Sequence, residues 1–344
     1  MAKTGWMGLD KGSDVGFERP KETIKFSSPS MNWLFGPSFE GLARGMTAVL
    51  WGAPKAGKSV FLYDAIAQVH RNSATARVIL FDTEFRTNLQ FGEGITKDID
   101  PERLLIKQTN EPSAIFDFIE KDVLAAVDNN MDIPLICIDS ISSIRGLKSL
   151  NADTVSQHLI GDQALSLQNG FQRIIPVLRR KKIALLCTSQ ARAEMDQIQQ
   201  RMHKTIKMSL SWGVRHLLDY FIQVTQVEAS AGKVFDQSRT DSNDNPLQIG
   251  NKIRCLMNES SGGGRGRTAE VTLSYEKGFI KIGEEVTNLA LNLGIIHKPE
   301  GGNSLVWRDI KHRGFDAFAD FLEINAEVRN EIVSEIMHKT KGQE

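Results

Sequence analysis

The chain has 344 residues, 41% of them apolar and 24% charged, with 42 Lys and Arg balanced by 42 Asp and Glu. That composition is normal for a well-cored soluble protein, and the balanced charge gives no overall argument for a polyanionic partner. No apolar run approaches the ~20 residues of a membrane span, and the first 22 residues lack the apolar centre of a signal peptide, so a cytosolic protein without membrane contact is expected.

Residues 1–30, rich in Gly, Lys, Asp, Ser and Pro, predict an extended N-terminal arm with one short strand at 23–26. From residue 31, apolar strand-like runs alternate with amphipathic segments. Strands are expected at 46–51, 77–82, 104–107, 134–139 and 183–188, and helices at 58–70, 113–127 and 163–180. Strands separated by helices of this length imply βαβ units, hence an α/β fold with a mostly parallel sheet covered on both faces.

After Trp212 the strands come closer together, at 221–227, 252–257 and 270–275, with turn-rich links at 238–245 and 260–266. They predict an antiparallel extension of the same sheet. Helical patterns at 284–293 and 316–341 around a Gly- and Pro-containing link predict a small C-terminal α/β domain over 284–344, leaving 31–283 as the core. Cys137, Cys187 and Cys255 have no metal or redox spacing and are expected to be reduced core residues.

Gly52, Ala53, Pro54, Lys55, Ala56, Gly57, Lys58 and Ser59 spell Gly-x-x-x-x-Gly-Lys-Ser between an apolar strand and a helix. This is the P-loop pattern in its required context. Glycines let backbone N–H groups wrap the phosphates of ATP, and the helix N-terminus adds partial positive charge. Lys58 is expected to reach the β- and γ-phosphates, and the Ser59 hydroxyl to ligate Mg²⁺.

Asp139 ends the apolar run Leu135-Ile-Cys-Ile-Asp139, where a second metal-binding group of such a site sits. Asp82 and Glu84 follow another apolar strand. Glu84, just past the strand end, is the better placed to orient or deprotonate an attacking water. Gln190 follows the strand at 183–188, where its amide either reports the γ-phosphate to the next loop or belongs to a surface turn.

The segment from Arg173 to Arg215 is basic: Arg173, Arg179, Arg180, Lys181, Lys182, Arg192, Arg201, Lys204, Lys207 and Arg215 stand against Glu194 and Asp196. It reads either as a solvated helix face with a loop or as a path for a phosphate backbone.

Together these residues resemble the RecA family, and in particular its UvsX-type phage recombinases. The resemblance runs from about residue 31 to about residue 339. Its pieces are Met31-Asn-Trp-Leu-Phe-Gly36, Leu80-Phe-Asp-Thr-Glu-Phe85, Asp100-Pro-Glu-Arg103, Ile138-Asp-Ser-Ile141, Ile160-Gly-Asp162, Gln190 and Ala290-Leu-Asn-Leu-Gly-Ile-Ile-His-Lys-Pro299.

The resemblance implies a RecA-type P-loop ATPase core, dependent on ATP and Mg²⁺, in a helical homo-oligomer on single-stranded DNA that pairs it with a homologous duplex. Single-strand-binding and mediator proteins are the partners it suggests. By position, Glu84 looks like the catalytic glutamate, Gln190 like the γ-phosphate sensor and Phe91 like the aromatic beside adenine, although Phe91 also fits core packing. Arg145 and Lys148 fall in the first DNA-binding loop, 145–157. Arg192, Arg201, Lys204 and Lys207 fall in the second, 191–211.

Two departures stand out. The family's interface lysines correspond to about Met257-Asn-Glu-Ser-Ser261, which has none, so Arg265 and Arg267 are the cations left to complete a neighbour's ATP site, or else belong to a surface loop. Tyr275 lies where a tyrosine of the family approaches the neighbouring nucleotide, and equally fits a strand-end core aromatic. The long N-terminal interface helix has no counterpart, which leaves the strand at 23–26 to pair with the next subunit. A ring-shaped RecA-fold helicase and a regulatory RecA paralogue share the same core residues and are the competing readings.

Overall fold

A computed structural model describes residues 22–36, 41–87, 93–150, 161–193, 206–227, 232–240, 242 and 244–341. Six strands run parallel: β3 (Thr47–Gly52), β4 (Val78–Asp82), β5 (Leu104–Gln108), β6 (Leu135–Asp139), β7 (Ala184–Ala193) and β9 (Tyr220–Gln226). Their order across the sheet is β5-β4-β6-β7-β3-β9. The antiparallel strands β11 (Pro246–Ser260), β12 (Thr268–Ser274) and β13 (Gly278–Ile280) continue it beyond β9, and β10 (Lys233–Thr240) flanks the first half of β11. The mixed sheet with helices is the α/β fold expected, with a RecA-type core.

The central strands β3, β4 and β6 are apolar almost throughout because both faces are covered. Along β6, Leu135 and Cys137 enter one core while Ile136 and Ile138 enter the other, and β3 divides Ala48 and Leu50 from Val49 and Trp51 in the same way. On the first face lies the helix Lys58–Asn72 with Phe61, Leu62 and Ile66. On the second lies Asp162–Lys181 with Phe171, Ile174 and Leu178, together with Phe116 of Pro112–Phe118. Each such fully buried side chain is worth about 1.5–3 kcal/mol of transfer free energy. Cys137, Cys187 and Cys255 are all buried and reduced, and burial pushes their thiols up.

The structure departs from the sequence reading at several elements. β7 does not stop at residue 188 but runs through Gln190 to Ala193, where β8 (Ile206–Met208) pairs with it antiparallel. Beyond Gly52, its partner at Gln190, β3 can no longer satisfy the β7 backbone, and β8 supplies the missing hydrogen bonds. β10, β13 and the hairpin of β14 (Ser304–Trp307) and β15 (Ile310–Arg313) are further strands whose short or polar runs give little periodicity. The helix expected at 316–341 is two, Phe315–Ile324 and Ala326–Lys341, broken at Asn325.

At the N-terminal side, β1 (Thr23–Ile24) pairs with β2 (Leu42–Ala43) of its own chain. That pairing takes up one edge of the strand expected to reach a neighbouring subunit, and Ile24 and Phe26 lie in the core. The helix Pro29–Phe35 then packs Met31, Leu34 and Phe35 against the sheet; Ser28 caps it, accepting the Met31 N–H at 3.1 Å. A third core gathers Val286, Leu289, Trp307, Phe318 and Ile336 between the C-terminal helices and the β14–β15 hairpin.

Two buried carboxyls anchor residues 27–30 between these parts. Asp64 accepts the Ser27 N–H at 2.9 Å and its hydroxyl at 2.6 Å. Glu285, at the start of helix Ile282–Asn292, accepts the Ser28 hydroxyl at 2.6 Å and the Ser30 N–H at 3.2 Å, while its other oxygen has no partner. Burial pushes Glu285 from 4.5 up to about 8 and Asp64 from 3.8 up to about 6, the serine hydrogen bonds opposing the rise. Between 4.5 and about 8 the folded chain keeps the Glu285 proton that the unfolded chain releases, so stability falls as pH rises through that window. Glu285→Gln is expected to flatten the fall. In urea unfolding at pH 5 and pH 8 the wild type should lose at least about 1 kcal/mol more between the two than the variant, the worth of one pKa unit.

Candidate nucleotide and DNA site

The parallel register carries the motif residues to one edge of the sheet. Gly52 is paired with Gln190, and Asp82 with Asp139, at the C-terminal ends of β3, β7, β4 and β6. This is the edge at which open α/β sheets bind ligands.

From Gly52 the chain turns over residues 53–57 into the helix Lys58–Asn72. Gly57 caps that helix with φ +100°, and a Cβ there would come within 2.6 Å of Ile253 Cδ1. At Gly52 a Cβ would stand 2.1 Å from the Val224 carbonyl oxygen. Both glycines are thus required by backbone shape, and the resulting loop fits a phosphate cradle at a helix N-terminus. Ala53, Pro54 and Lys55 are exposed along it and Ala56 is buried beneath. Lys58 Nζ donates to the carbonyls of Gly52 at 3.1 Å and Ala53 at 2.7 Å. Burial pulls its pKa down, against the pull of Asp139 and Glu84. An anion seated in the loop would satisfy that ammonium.

Asp139 and Ser59 meet across the same edge, the serine hydroxyl donating to Oδ2 at 2.8 Å, and the Thr188 hydroxyl holds Oδ1. Burial pushes the Asp139 carboxyl up, its two hydroxyl donors opposing and the nearby Glu84 and Asp82 adding to the rise. One carboxylate and one hydroxyl are hard oxygen donors of the set that holds Mg²⁺ beside a nucleotide phosphate. Among the described residues no group of three or more His, Cys, Asp and Glu forms a metal cage. Magnesium, with its retained waters and phosphate ligands, does not need one.

Asp82 and Glu84 have separate places. Asp82 is buried, and its carboxylate organises the loop by accepting the N–H groups of Glu84 and Arg86 at 3.2 Å and of Thr87 at 2.9 Å, with the Gln108 amide at 3.1 Å. Burial would raise its pKa, but the hydrogen bonds from Thr87, Gln108 and Arg86 outweigh that and hold it below the usual carboxylate value. Glu84 projects beyond. Its Oε1 accepts Gln190 Nε2 at 2.7 Å and the Ser143 hydroxyl at 3.2 Å, and its Oε2 lies 3.4 Å from the Arg86 guanidinium. Glu84, Gln190, Lys58, Ser59 and Asp139 are therefore brought together.

Arg145 and Lys148 are exposed on the segment after β6, Arg145 Nη2 reaching the Ser149 carbonyl at 3.3 Å. Arg192 and Lys207 face one another as partners in the β7–β8 ribbon, both exposed. Phe91, Arg201 and Lys204 lie outside the described residues. The basic excess counted along the sequence shrinks in three dimensions. Arg173 pairs with Asp117 and Glu120, Arg179 with Asp219, Lys181 with Asp128 and Arg215 with Glu259, all acids from other segments.

The residues expected to complete a neighbour's site are spread out. Arg267 lies over the Trp33 ring, 5.1 Å from its centroid, and donates to its carbonyl at 3.4 Å, whereas Arg265 is exposed at the tip of the β11–β12 turn. Tyr275 is half exposed on the β12–β13 turn, its hydroxyl bonded to Asn251. That turn abuts Gly94, whose Cβ would stand 2.0 Å from the Lys277 carbonyl carbon. The tyrosine is thus a half-exposed turn residue and not a core aromatic, on a turn that packs against the segment following Phe91.

Thr83, Thr188, Ser140, Ser142, Ser143 and Arg86 escape the sequence reading, although all touch the site. Only the serine-rich run after Asp139, Ser140-Ile-Ser-Ser143, hints at it.

Fold and loop together define a P-loop α/β protein with a RecA-type core. Curated relatives agree along nearly the whole chain. It is 24% identical over 327 residues to Protein RecA of Mesomycoplasma hyopneumoniae (strain J), covering 95% of this chain and 89% of that protein. Over 324 residues it is 21% identical to Protein RecA of a Nitratiruptor species, covering 92% and 84%. Protein RecA of Mycoplasma mycoides subsp. mycoides SC is 21% identical over 315 residues, covering 90% and 82%. No family model matches the chain. The likenesses, low in identity but long, support the RecA family. No helix among the described residues is long and apolar enough to cross a membrane.

Asp82→Ala removes the acceptor of three backbone N–H groups and is expected to cost about 1.5–3 kcal/mol at pH 7, the range for hydrogen bonds to a charged group. The Asp82 contribution is present above the unfolded carboxylate value of 3.8 and is lost as pH falls through the lower folded value. The gap between wild type and variant in chemical denaturation should therefore narrow below pH 4.

Proposed function

We propose that the chain is an ATP-dependent RecA-family recombinase, a DNA-dependent ATPase that forms a helical filament on single-stranded DNA and carries out homologous pairing and strand exchange, as UvsX-type phage recombinases do. Gln190 is the observation that carries this reading. Its amide holds Glu84 at 2.7 Å in the candidate hydrolysis site, and two residues later the same strand presents Arg192 opposite Lys207. A change in how Gln190 is bonded is transmitted along one rigid β-ribbon to the candidate DNA contacts, so nucleotide state and DNA binding share one element.

In this reading the loop from Gly52 to Ser59 binds the phosphates, and Ser59 and Asp139 hold Mg²⁺, which would neutralise phosphate charge. Lys58 adds charge at the phosphates, Glu84 orients the attacking water and Gln190 senses the γ-phosphate. Phe91 and Tyr275 flank the base. Arg145, Lys148, Arg192, Arg201, Lys204 and Lys207 follow the DNA backbone, and Arg265 or Arg267 completes a neighbour's site. The proposed units are an arm at 1–30, a core at 31–283 and a C-terminal domain at 284–344. Single-strand-binding and mediator proteins are proposed partners, and the cytosol, the host's for a phage protein, is the proposed compartment. The lysine-free stretch 257–261 favours one second reading, a regulatory paralogue that binds ATP without exchanging strands.

Glu84→Gln should lower ATP turnover about 10²–10⁴-fold, the usual worth of a general base, while leaving nucleotide binding intact. Unchanged turnover would favour the paralogue. Electron microscopy with ATP and single-stranded DNA should show helical filaments; closed rings would instead indicate a helicase-type assembly. The double variant Arg192→Ala, Lys207→Ala is expected to weaken single-stranded DNA binding and reduce the slope of log K against log salt by about 0.7 per lost phosphate contact. An unchanged slope takes both residues off the DNA path.

A further inference from the structure

Between the candidate hydrolysis site and the first candidate DNA loop stands a run of hydroxyls to which the proposed function assigns nothing. The short 3₁₀ turn Ile141–Ser143 follows Asp139 directly. Ser143 Oγ donates at 3.2 Å to Glu84 Oε1, the same oxygen that takes the Gln190 amide at 2.7 Å. Ser142 Oγ accepts the backbone N–H of Gln190 at 3.1 Å and lies 2.5 Å from Ser140 Oγ. Ser140 in turn is locked to Thr83, whose hydroxyl accepts its N–H and donates to its carbonyl, both at 2.7 Å. On the other side Gln163 Nε2 donates to the carbonyls of Ser142 at 2.9 Å and Ile144 at 2.7 Å. The turn is thus held at both faces, and two residues after Ser143 comes the exposed Arg145.

We infer that Ser143 is a positioning residue that couples the first loop to the Glu84 carboxylate. The inference rests on the reading of Glu84 as the group that orients the attacking water. A carboxylate oxygen has two lone-pair sites, and on Oε1 both are taken, one by the Gln190 amide and one by the Ser143 hydroxyl. An oxygen so engaged is a poorer acceptor for water. Ser143 makes the longer of the two bonds and is the one released first. Because the turn from Ser142 to Ile144 is braced by Gln163, a pull on Arg145 is passed back to Ser143 instead of being absorbed between them. DNA bound along the first loop would thereby free Glu84 Oε1, whereas Gln190 does the same from the γ-phosphate side. Two inputs, one through each loop, then converge on a single oxygen atom.

The test is Ser143→Ala in the full chain, with ATP turnover measured with and without single-stranded DNA and nucleotide affinity measured by a fluorescent ATP analogue. DNA-independent turnover is expected to rise on the order of two- to tenfold, the equivalent of one ordinary hydrogen bond, with nucleotide affinity unchanged. The ratio of DNA-stimulated to basal turnover falls by the same factor. Ser143→Thr, which keeps the hydroxyl, restores the wild-type ratio. If the alanine variant proves unstable, Ser143→Cys, similar in size with a weak donor, gives the same comparison. An unchanged stimulation ratio in Ser143→Ala, or a threonine variant that behaves like alanine, overturns the coupling. A wild-type chain that hydrolyses no ATP with or without DNA overturns the reading of Glu84 on which it stands; an active wild type matched by Ser143→Ala overturns the inference alone.

Discussion

Everything at the candidate site depends on the parallel register of β4, β6, β7 and β3. Strands that pair in parallel end on the same side, so Asp82, Asp139, Gln190 and Gly52, far apart in the sequence, become neighbours. The strands beyond β3 serve this arrangement from behind. Ile253 of antiparallel β11 lies against Gly57 and Val224 of parallel β9 against Gly52, so the phosphate loop rests on strands from later in the sequence.

Burial then decides the electrostatics. Burial lowers the pKa of Lys58 and raises that of Asp139; the carboxylates of Asp139 and Glu84 oppose the fall at Lys58, and the Thr188 and Ser59 hydroxyls oppose the rise at Asp139. A polyanion and a divalent cation are the ligands that relieve both at once. Asp82 shows the contrast. Its buried carboxylate is satisfied by backbone N–H groups and shapes the loop from which Glu84 projects.

The C-terminal region is joined to the core by contacts of the same kind. Glu285 bonds Ser28 and Ser30 of the N-terminal segment, and Asp64 bonds Ser27, so the strip 27–30 links the helix Lys58–Asn72 to the helix Ile282–Asn292. The Thr23–Ile24 strand, expected to pair with the next subunit, has one edge paired with Leu42–Ala43 of its own chain. An edge strand pairs with whichever partner is near, and residues 23–26 alone do not specify which one.

Local sequence determined what depends on local chemistry. The P-loop, the apolar strands ending at Asp82 and Asp139, the helices Lys58–Asn72 and Asp162–Lys181 and the place of Glu84 just beyond a strand all follow from spacing and periodicity within short windows. Tertiary structure alone decided which groups pair across those windows. It gave Arg173, Arg179 and Lys181 distant acids and so removed part of the basic excess, carried β7 past Gln190 by supplying β8, and brought Ser142 and Ser143 to Glu84 and Gln190. Hydroxyls and ion pairs carry no periodicity, and their partners are set by register and packing between segments that the linear chain keeps apart.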